Sequence, residues 1–306
     1  MKASLRRHVE SRSAAVEKTM AGLLRRKDEE PETIRKAMSY SLFAGGKRLR
    51  PVLVMAAAEC CGLPGRKVLK TAAALEMIHT YSLIHDDMPA MDDDDLRRGK
   101  PANHKVFGEA MAILAGDGLL TYAFEVAAEN AASLGLPARA ASELVRVIAR
   151  GAGTRGMVGG QVADLEAESS LPRHRKLQGK ALGRALEAIH LRKTAALIMA
   201  SLDAGAVAAG GTQAQRAALR QYGRAIGLAF QIADDVLDVI GDKKKMGKKG
   251  SDAQNQKLTY ASLYGVEKAQ AQARSLIGLA HRRLRPFGAR ARMLHELADY
   301  IITRDK

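Results

Sequence analysis

The sequence predicts an all-α protein, a single large helical bundle around a central cavity, with residues 1–306 forming one domain. Three observations predict it. Apolar residues recur at helical spacing almost from end to end. The segments between Gly and Pro breakers run to roughly ten to thirty residues, too long for strands. Ala and Leu dominate the apolar set, whereas aromatic residues make up only 4% and Trp is absent, a balance that favours helix over sheet.

The breakers divide the chain in order: Gly45-Gly46, Gly62-Leu63-Pro64-Gly65, Pro89, Gly99-Lys100-Pro101, Leu136-Pro137, Leu171-Pro172, Gly210-Gly211, the stretch from Gly241 to Gly250, and Pro286-Phe287-Gly288. No composition shift, linker or fixed-period repeat splits the chain, so one bundle is expected. Several helices read as longer than average, such as one over about residues 139–168 and one over about residues 213–240. In the second, Tyr222, Ile226, Ala229, Ala233, Val236 and Ile240 form an apolar stripe, while Gln231, Asp234 and Asp238 recur on a different one.

The formal charge of +16 raises the question of a nucleic acid or an anionic surface as partner. The charge is scattered, however, and only Lys243-Lys244-Lys245 with Lys248-Lys249 is dense. No aromatic-flanked RNA signature and no zinc spacing accompanies it, so no nucleic-acid partner is expected. Cys60 and Cys61 are adjacent and read as core thiols rather than a disulfide framework. Charges at Lys2, Arg6, Arg7 and Glu10 leave no apolar signal core, and no eighteen-residue uninterrupted apolar run stands in the chain. No membrane span and a cytoplasmic location are expected.

The most informative stretch is Asp86-Asp87-Met88-Pro89-Ala90-Met91-Asp92-Asp93-Asp94-Asp95, behind the apolar Leu83-Ile84 and followed by Arg97 and Arg98. So many carboxylates repel one another unless cations or solvent neutralise them. A solvated acidic loop is one reading. Pro89 interrupts the helix, so Asp92 need not keep helical phase with Asp86. A second cluster, Asp234-Asp235-Val236-Leu237-Asp238, has Gln231 one turn before it, and alone it would read as the wet face of a helix. Together the two clusters match what Mg²⁺ requires to bridge a diphosphate: oxygen ligands, with phosphate oxygens completing the shell. Gly45-Gly46-Lys47-Arg48-Leu49-Arg50-Pro51 is either a charged helix terminus or a phosphate-receiving corner, and lacks P-loop spacing. His79 lies two turns before Asp86 on the same face, and is either structural or part of the site.

On these motifs the chain resembles the trans-polyprenyl diphosphate synthase family, most closely its bacterial short-chain members that make farnesyl diphosphate. Matching stretches run from Phe43 to Pro51, through Ile84-His85-Asp86-Asp87 and Arg97-Arg98-Gly99, to Gly159-Gly160-Gln161, Lys193-Thr194, Phe230 to Asp238 and Ala298-Asp299-Tyr300-Ile301-Ile302. The resemblance implies the isoprenoid synthase fold and a Mg²⁺-dependent prenyltransferase that condenses isopentenyl diphosphate with dimethylallyl and then geranyl diphosphate. It implies three Mg²⁺ per active site, replaceable by Mn²⁺, and a homodimer. Asp86, Asp92 and Asp234 would bind metal, with Asp87, Asp235 and Asp238 in support. Arg97, Lys193 and Lys248 would hold the allylic diphosphate, and Lys47, Arg50, His79 and Arg98 would hold isopentenyl diphosphate. Thr194 and Gln231 would turn oxygen dipoles toward the allylic cation.

By the same resemblance Tyr81, five residues before Asp86, with its neighbour Ser82, would floor the cavity and set product length. Tyr81 as plain core is the alternative. A bulky residue there fits a fifteen-carbon product, and a geranyl or geranylgeranyl product is the rival. Two departures from the family pattern stand out. The stretch between Lys248 and Gly250 is one residue shorter than expected, which leaves Lys248 or Lys249 as the contact, and Thr259-Tyr260-Ala261 carries Ala where Pro is common. A terpene cyclase would need a different second metal motif, and a non-catalytic partner subunit or basic binding protein should have lost the metal-binding aspartates.

Overall fold

The computed structural model describes residues 2–25, 31–169, 180–240 and 259–303. Within them the chain is a helical bundle. The first half comprises α1 (Ala3–Leu23), α2 (Glu32–Leu42), α3 (Leu49–Cys60), α4 (Leu69–Asp86), the short α5 (Asn103–Phe107), α6 (Glu109–Ser133), α7 (Ala138–Ala152) and α8 (Met157–Ser169). The second half comprises α9 (Lys180–His190), α10 (Ala196–Ala208), α11 (Gln213–Ile240), α12 (Tyr260–Tyr264), α13 (Val266–Leu284) and α14 (Arg292–Thr303). Between α4 and α5 a two-residue hairpin, β1 (Leu96–Arg97) and β2 (Lys100–Pro101), pairs Arg97 with Lys100. The Gly99-Lys100-Pro101 breaker therefore closes a tight antiparallel turn as well as ending a segment, an element not expected from helical patterning.

Two large apolar clusters hold most of the bundle, and a smaller third, of Ile232, Val236, Ala261, Ala269 and Ala273, packs the end of α11 against α12 and α13. Of the large pair, one joins α4, α6 and α7 through residues such as Leu75, Ile78, Leu119, Val126, Leu144 and Ile148. The other joins α3, α10, α11 and the C-terminal helices through Val52, Leu202, Tyr222, Ile226, Leu284 and Leu297. Helix α10 is buried on all sides from Leu197 to Ala208 apart from Met199, as its largely apolar composition requires, and Asp203 within it is paired by Arg216 and Arg220. Each fully buried Leu in these clusters contributes about 2 kcal/mol of transfer free energy. Tyr222 is placed among apolar neighbours at no polar cost because its hydroxyl donates to the Leu294 carbonyl at 2.8 Å. Cys60 is buried and Cys61 half-buried, both as free thiols.

Two expectations need correction. The single helix expected over residues 139–168 is two, α7 and α8, because Gly153 adopts an extended conformation (φ −79°, ψ −159°) that ends α7. The apolar stripe of α11 holds at Tyr222, Ile226, Ala229 and Val236, but Ile240 is 57% exposed, while Ile232 and Asp235 turn inward. Helix α6 is long and apolar enough, by length and composition, to cross a membrane. It is nevertheless a bundle helix here. Ala112, Ala115, Leu119, Ala123, Val126 and Ala127 lie in the core against α4, and Asp117, Glu125 and Glu129 punctuate its length.

Candidate active site

Helix α4 ends in Asp86 and Asp87. Pro89 prevents the helix from continuing, and the chain curls back so that the Asp92 N–H donates to the Asp86 carbonyl at 2.8 Å and the Asp93 N–H to the Met88 carbonyl at 3.1 Å. Asp93 adopts φ +50° to make that return. The turn sets Asp92 beside Asp86 at a separation in sequence that a regular helix would splay apart. Burial pushes the Asp86 carboxyl up to about 6, the positive charge of Lys193 pulls it down, and Asp92 pushes it up again. Asp87 is buried at the same corner, and its Oδ1 accepts from Nε of Arg97 at 2.8 Å and from Nη2 of the same guanidinium. Arg97 also donates to Asp94 at 3.1 Å. Of the expected metal-binding aspartates, Asp87 therefore has its carboxylate taken up in orienting Arg97.

A second wall is cationic. Gly45 and Gly46 have φ of +95° and +120°, where L side chains are strained. Arg98 fills the resulting notch. Its guanidinium donates to the Gly45 carbonyl, and a Cβ on Gly46 would come within 2.6 Å of its Cζ. Arg98 itself has φ +54° and Arg48 φ +48°, so with Asp93 all three non-glycine residues of left-handed backbone among the described residues lie in the two loops that build this corner. Strain of that kind costs about 1–3 kcal/mol per residue and persists where the surroundings enforce it.

Burial lowers the Arg50 guanidinium to about 10, with Glu76 raising it and Arg98 lowering it. Burial, then Arg50, Arg98, Arg48 and Arg97 in that order, holds the His79 imidazole far below its ordinary range and hence neutral. The His79 Nδ1 and the Arg50 Nε are buried with no hydrogen-bond partner. Converging cations with unmet donors are what an anionic ligand would satisfy. Lys47 lies exposed beside this group. Between the hairpin, α2 and α4 the remaining space is only about 20 Å³, roughly enough for one water.

The third wall is a break in helical regularity. From Leu191 to Ala195 the helix between α9 and α10 widens into a π turn that contains Lys193 and Thr194. Such turns cost backbone regularity and recur at functional sites because they redirect side chains. Nζ of Lys193 donates to Oδ2 of Asp164 on α8, and Oγ1 of Thr194 donates to Oε1 of Gln231 on α11 at 2.8 Å. The turn can approach α8 so closely because residue 160 is glycine: a Cβ there would lie 2.1 Å from the Lys193 nitrogen.

Asp234 follows Gln231 by one turn and Asp238 by two, both half-buried and both engaged by partners. Asp235 turns away from them, and its Oδ2 accepts the Tyr260 N–H at 2.7 Å. That bond, with the capping box of Thr259 and Ser262, starts α12 without the proline expected after Tyr260.

The structure thus brings Asp86, Asp92, Arg97, Lys193, Thr194 and Gln231 into one neighbourhood, linked by the Asp86–Lys193 interaction and the Thr194–Gln231 bond. Asp234 and Asp238 stand on the same helix as Gln231. Lys248 lies outside the described residues. Tyr81 is 6% exposed and meets His85 edge-on at a centroid distance of 5.8 Å, and Ser82 donates to the His79 carbonyl of its own helix at 2.9 Å. Asp164 and Glu76 were not read from the sequence, and Arg48 was read only as one cation of the Gly45–Pro51 corner, not as the partner of a buried carboxylate. Asp164 could have been found from its spacing, since with Gln161 it makes an i, i+3 polar pair one turn beyond Gly159-Gly160. Glu76 and Arg48 form a buried ion pair at 2.8 Å that no local pattern announces.

Among the described residues no three carboxylate, imidazole or thiolate groups enclose a metal by themselves. Mg²⁺ commonly takes one or two carboxylates and completes its shell with water and substrate phosphate, so a crowded pair such as Asp86 and Asp92 beside cationic groups fits it.

Comparison with known proteins is consistent across sequence and structure. The polyprenyl synthetase family matches residues 31–286. The chain is 49% identical over 275 residues to a dimethylallyltranstransferase of Fischerella ambigua, covering 90% of this chain and 77% of that protein. It is 47% identical over 276 residues to the farnesyl diphosphate synthase of Bacillus subtilis, covering 90% of each. Among solved structures, an FPP/GFPP synthase from Zymomonas mobilis superposes with a TM-score of 0.86 at 37% identity, covering 99% of this chain and 100% of that one.

Proposed function

The chain belongs to the polyprenyl synthetase family, and on that premise we propose that this short-chain prenyl diphosphate synthase elongates dimethylallyl and then geranyl diphosphate with isopentenyl diphosphate, giving farnesyl diphosphate. The observation that carries the reading is the convergence of Asp86 and Asp92 with Lys193 and, through Thr194 and Gln231, with the helix that bears Asp234.

Asp86, Asp92, Asp234 and Asp238 would hold the Mg²⁺ ions, three in number or Mn²⁺ in their place, and when bound they would neutralise charge developing on the departing diphosphate. Arg97, oriented by Asp87 and Asp94, and Lys193, oriented by Asp164, donate to the allylic diphosphate. Arg50, Arg98, His79 and Lys47 receive isopentenyl diphosphate, whose negative charge answers the unpaired Arg50 Nε and the unpaired ring nitrogen of His79. Thr194 and Gln231 place oxygen dipoles where the allylic cation forms, and their mutual bond fixes that orientation. The double bond of isopentenyl diphosphate captures the cation, and a proton then passes to the released diphosphate, so that charge and atoms balance. Lys248 is assigned to the allylic diphosphate on the family pattern alone.

Tyr81 bounds the chain-length pocket, with Ser82 beside it. The exposed apolar residues Val106, Ile113 and Leu114 on α5 and α6 are the surface that a second copy would cover in a homodimer. A cytoplasmic site of action suits polar, charged substrates, and neither a nucleic acid nor a membrane span enters the reading. The test is incubation of the purified protein with isopentenyl and dimethylallyl diphosphates and Mg²⁺, followed by product sizing. A fifteen-carbon diphosphate is expected, and Asp86→Ala or Asp234→Ala should lose at least about a thousandfold in kcat with the fold intact. Near-normal turnover in either variant would remove the site.

A further inference from the structure

Beside the same π turn lies a cavity of about 820 Å³, bounded by α7, α10 and the first turns of α11. None of the residues assigned to the prenyl-transfer site lines it. Its walls are dominated by arginine. Among the described residues, the guanidinium groups of Arg139, Arg150, Arg155 and Arg192 make no ion pair or hydrogen bond. Four more arginines are built into a frame by two carboxylates and a neighbour. Arg216 donates to Asp203 at 2.7 and 3.1 Å and to Glu143 at 2.6 Å, and Arg220 donates to Asp203 at 3.1 Å. Arg146 donates twice to Glu143 at 2.7 Å, and Arg224 pairs with Glu187 at 3.2 Å outside the cavity. Asp203 is only 4% exposed, so the frame is rooted in the core of α10.

Eight arginines against two lining carboxylates leave six net positive charges on one concavity. Both carboxylates are saturated by guanidinium groups, and their bonds to Arg146 and Arg216 hold Glu143 ionised down to about 2. No lining carboxylate therefore remains to take a divalent cation, which separates this cavity chemically from the aspartate-rich site. Guanidinium forks match the paired oxygens of phosphate, and several forks at different angles suit a chain of phosphates better than a single carboxylate. The four free arginines balance the roughly four negative charges that a triphosphate carries near neutral pH. The volume falls in the range of small-molecule sites.

We infer that this cavity is a second, metal-independent binding site for a triphosphate-bearing solute. The inference does not depend on the prenyl-transfer reading. It does place a ligand against Leu191 and Arg192 of the turn whose Lys193 bonds Asp164, and against Ala196 at the start of α10.

The test is calorimetric titration of the full-length protein in EDTA at low salt, with inorganic tripolyphosphate and separately with ATP. One saturable site per chain is expected. Equal affinity for the two probes identifies the phosphate chain alone as the ligand, and tighter ATP binding identifies a nucleotide. Arg150→Ala/Arg155→Ala should weaken binding about tenfold or more, whereas Arg97→Ala/Lys193→Ala should retain it. Absence of saturable binding, or loss in the second variant and not the first, overturns the site and leaves a solvated basic face. Neither outcome bears on turnover, so failure here and failure of the prenyl-transfer assay remain distinguishable.

Discussion

Gly160→Ala probes the least forgiving contact in the site. The new Cβ would stand 2.1 Å from the Lys193 nitrogen, 2.5 Å from its Cα and 2.6 Å from the Arg192 carbonyl carbon. All three are backbone atoms, so no side chain can swing aside. To restore even a 3.0 Å separation from that nitrogen, α8 and the π turn must part by about 1 Å. Overpacking of this kind costs about 1–3 kcal/mol. The functional cost should be larger, because Lys193 and Thr194 ride on the displaced turn, and a misplacement of about 1 Å at a reacting centre costs on the order of a hundredfold in rate. Thermal unfolding and kcat with isopentenyl and dimethylallyl diphosphates measure the two effects. Gly22→Ala serves as the control, since a Cβ there meets nothing within 4 Å. In the last turn of α1 it should stabilise by at most about 0.5–1 kcal/mol and leave kcat alone. A Gly160→Ala protein with wild-type kcat would refute the claim that the π turn positions catalytic groups.

Three further outcomes are expected. Tyr81→Ala removes a phenol from the wall of α4 and should shift product sizing toward twenty carbons; an unchanged product would return Tyr81 to the core and nothing more. His190, buried against Tyr260 with its Nδ1 unpaired, is lowered by burial to about 4, with Asp164 raising it and Lys193 lowering it. The unfolded chain takes up that proton first as pH falls below 6.5, so stability is flat above pH 6.5 and declines below it, by about 2 kcal/mol at pH 5 from this group. His190→Phe should lose correspondingly less than wild type between pH 7 and 5 in denaturant titrations, and identical losses would contradict the assignment. Arg48→Met strands the Glu76 carboxylate, which is 2% exposed, and should cost about 3–5 kcal/mol, whereas Arg48→Met/Glu76→Met should recover most of it; equal destabilisation of the two variants would deny that pair its structural role.

The helical class, the full extent of α11 and the residues of both aspartate clusters were legible because each is a local signal: a periodicity, a breaker, a run of like charge. What escaped was set by distance or by single backbone choices. The break between α7 and α8 hangs on the extended Gly153, which a helical pattern passes over. The π turn is invisible to a 3.6-residue period, although Lys193-Thr194 was singled out by resemblance. The orientation of Asp87 toward Arg97, and of Asp235 toward Tyr260 rather than toward Asp234, depends on elements ten and twenty-five residues away. The arginine cavity was present in the sequence only as unexplained net charge, because its cations come from α7, the π turn and α11, far apart in the chain.

The central claim is that both aspartate clusters share the metal ions that hold one diphosphate. A crystal structure of the protein soaked with Mn²⁺ and inorganic diphosphate, read by anomalous scattering, tests it directly. The account predicts Mn²⁺ at about 2.2 Å from carboxylate oxygens of Asp86 and Asp92 and also of Asp234, with the same diphosphate bridging both sets. Metal confined to one cluster, with the diphosphate bound elsewhere, would contradict it.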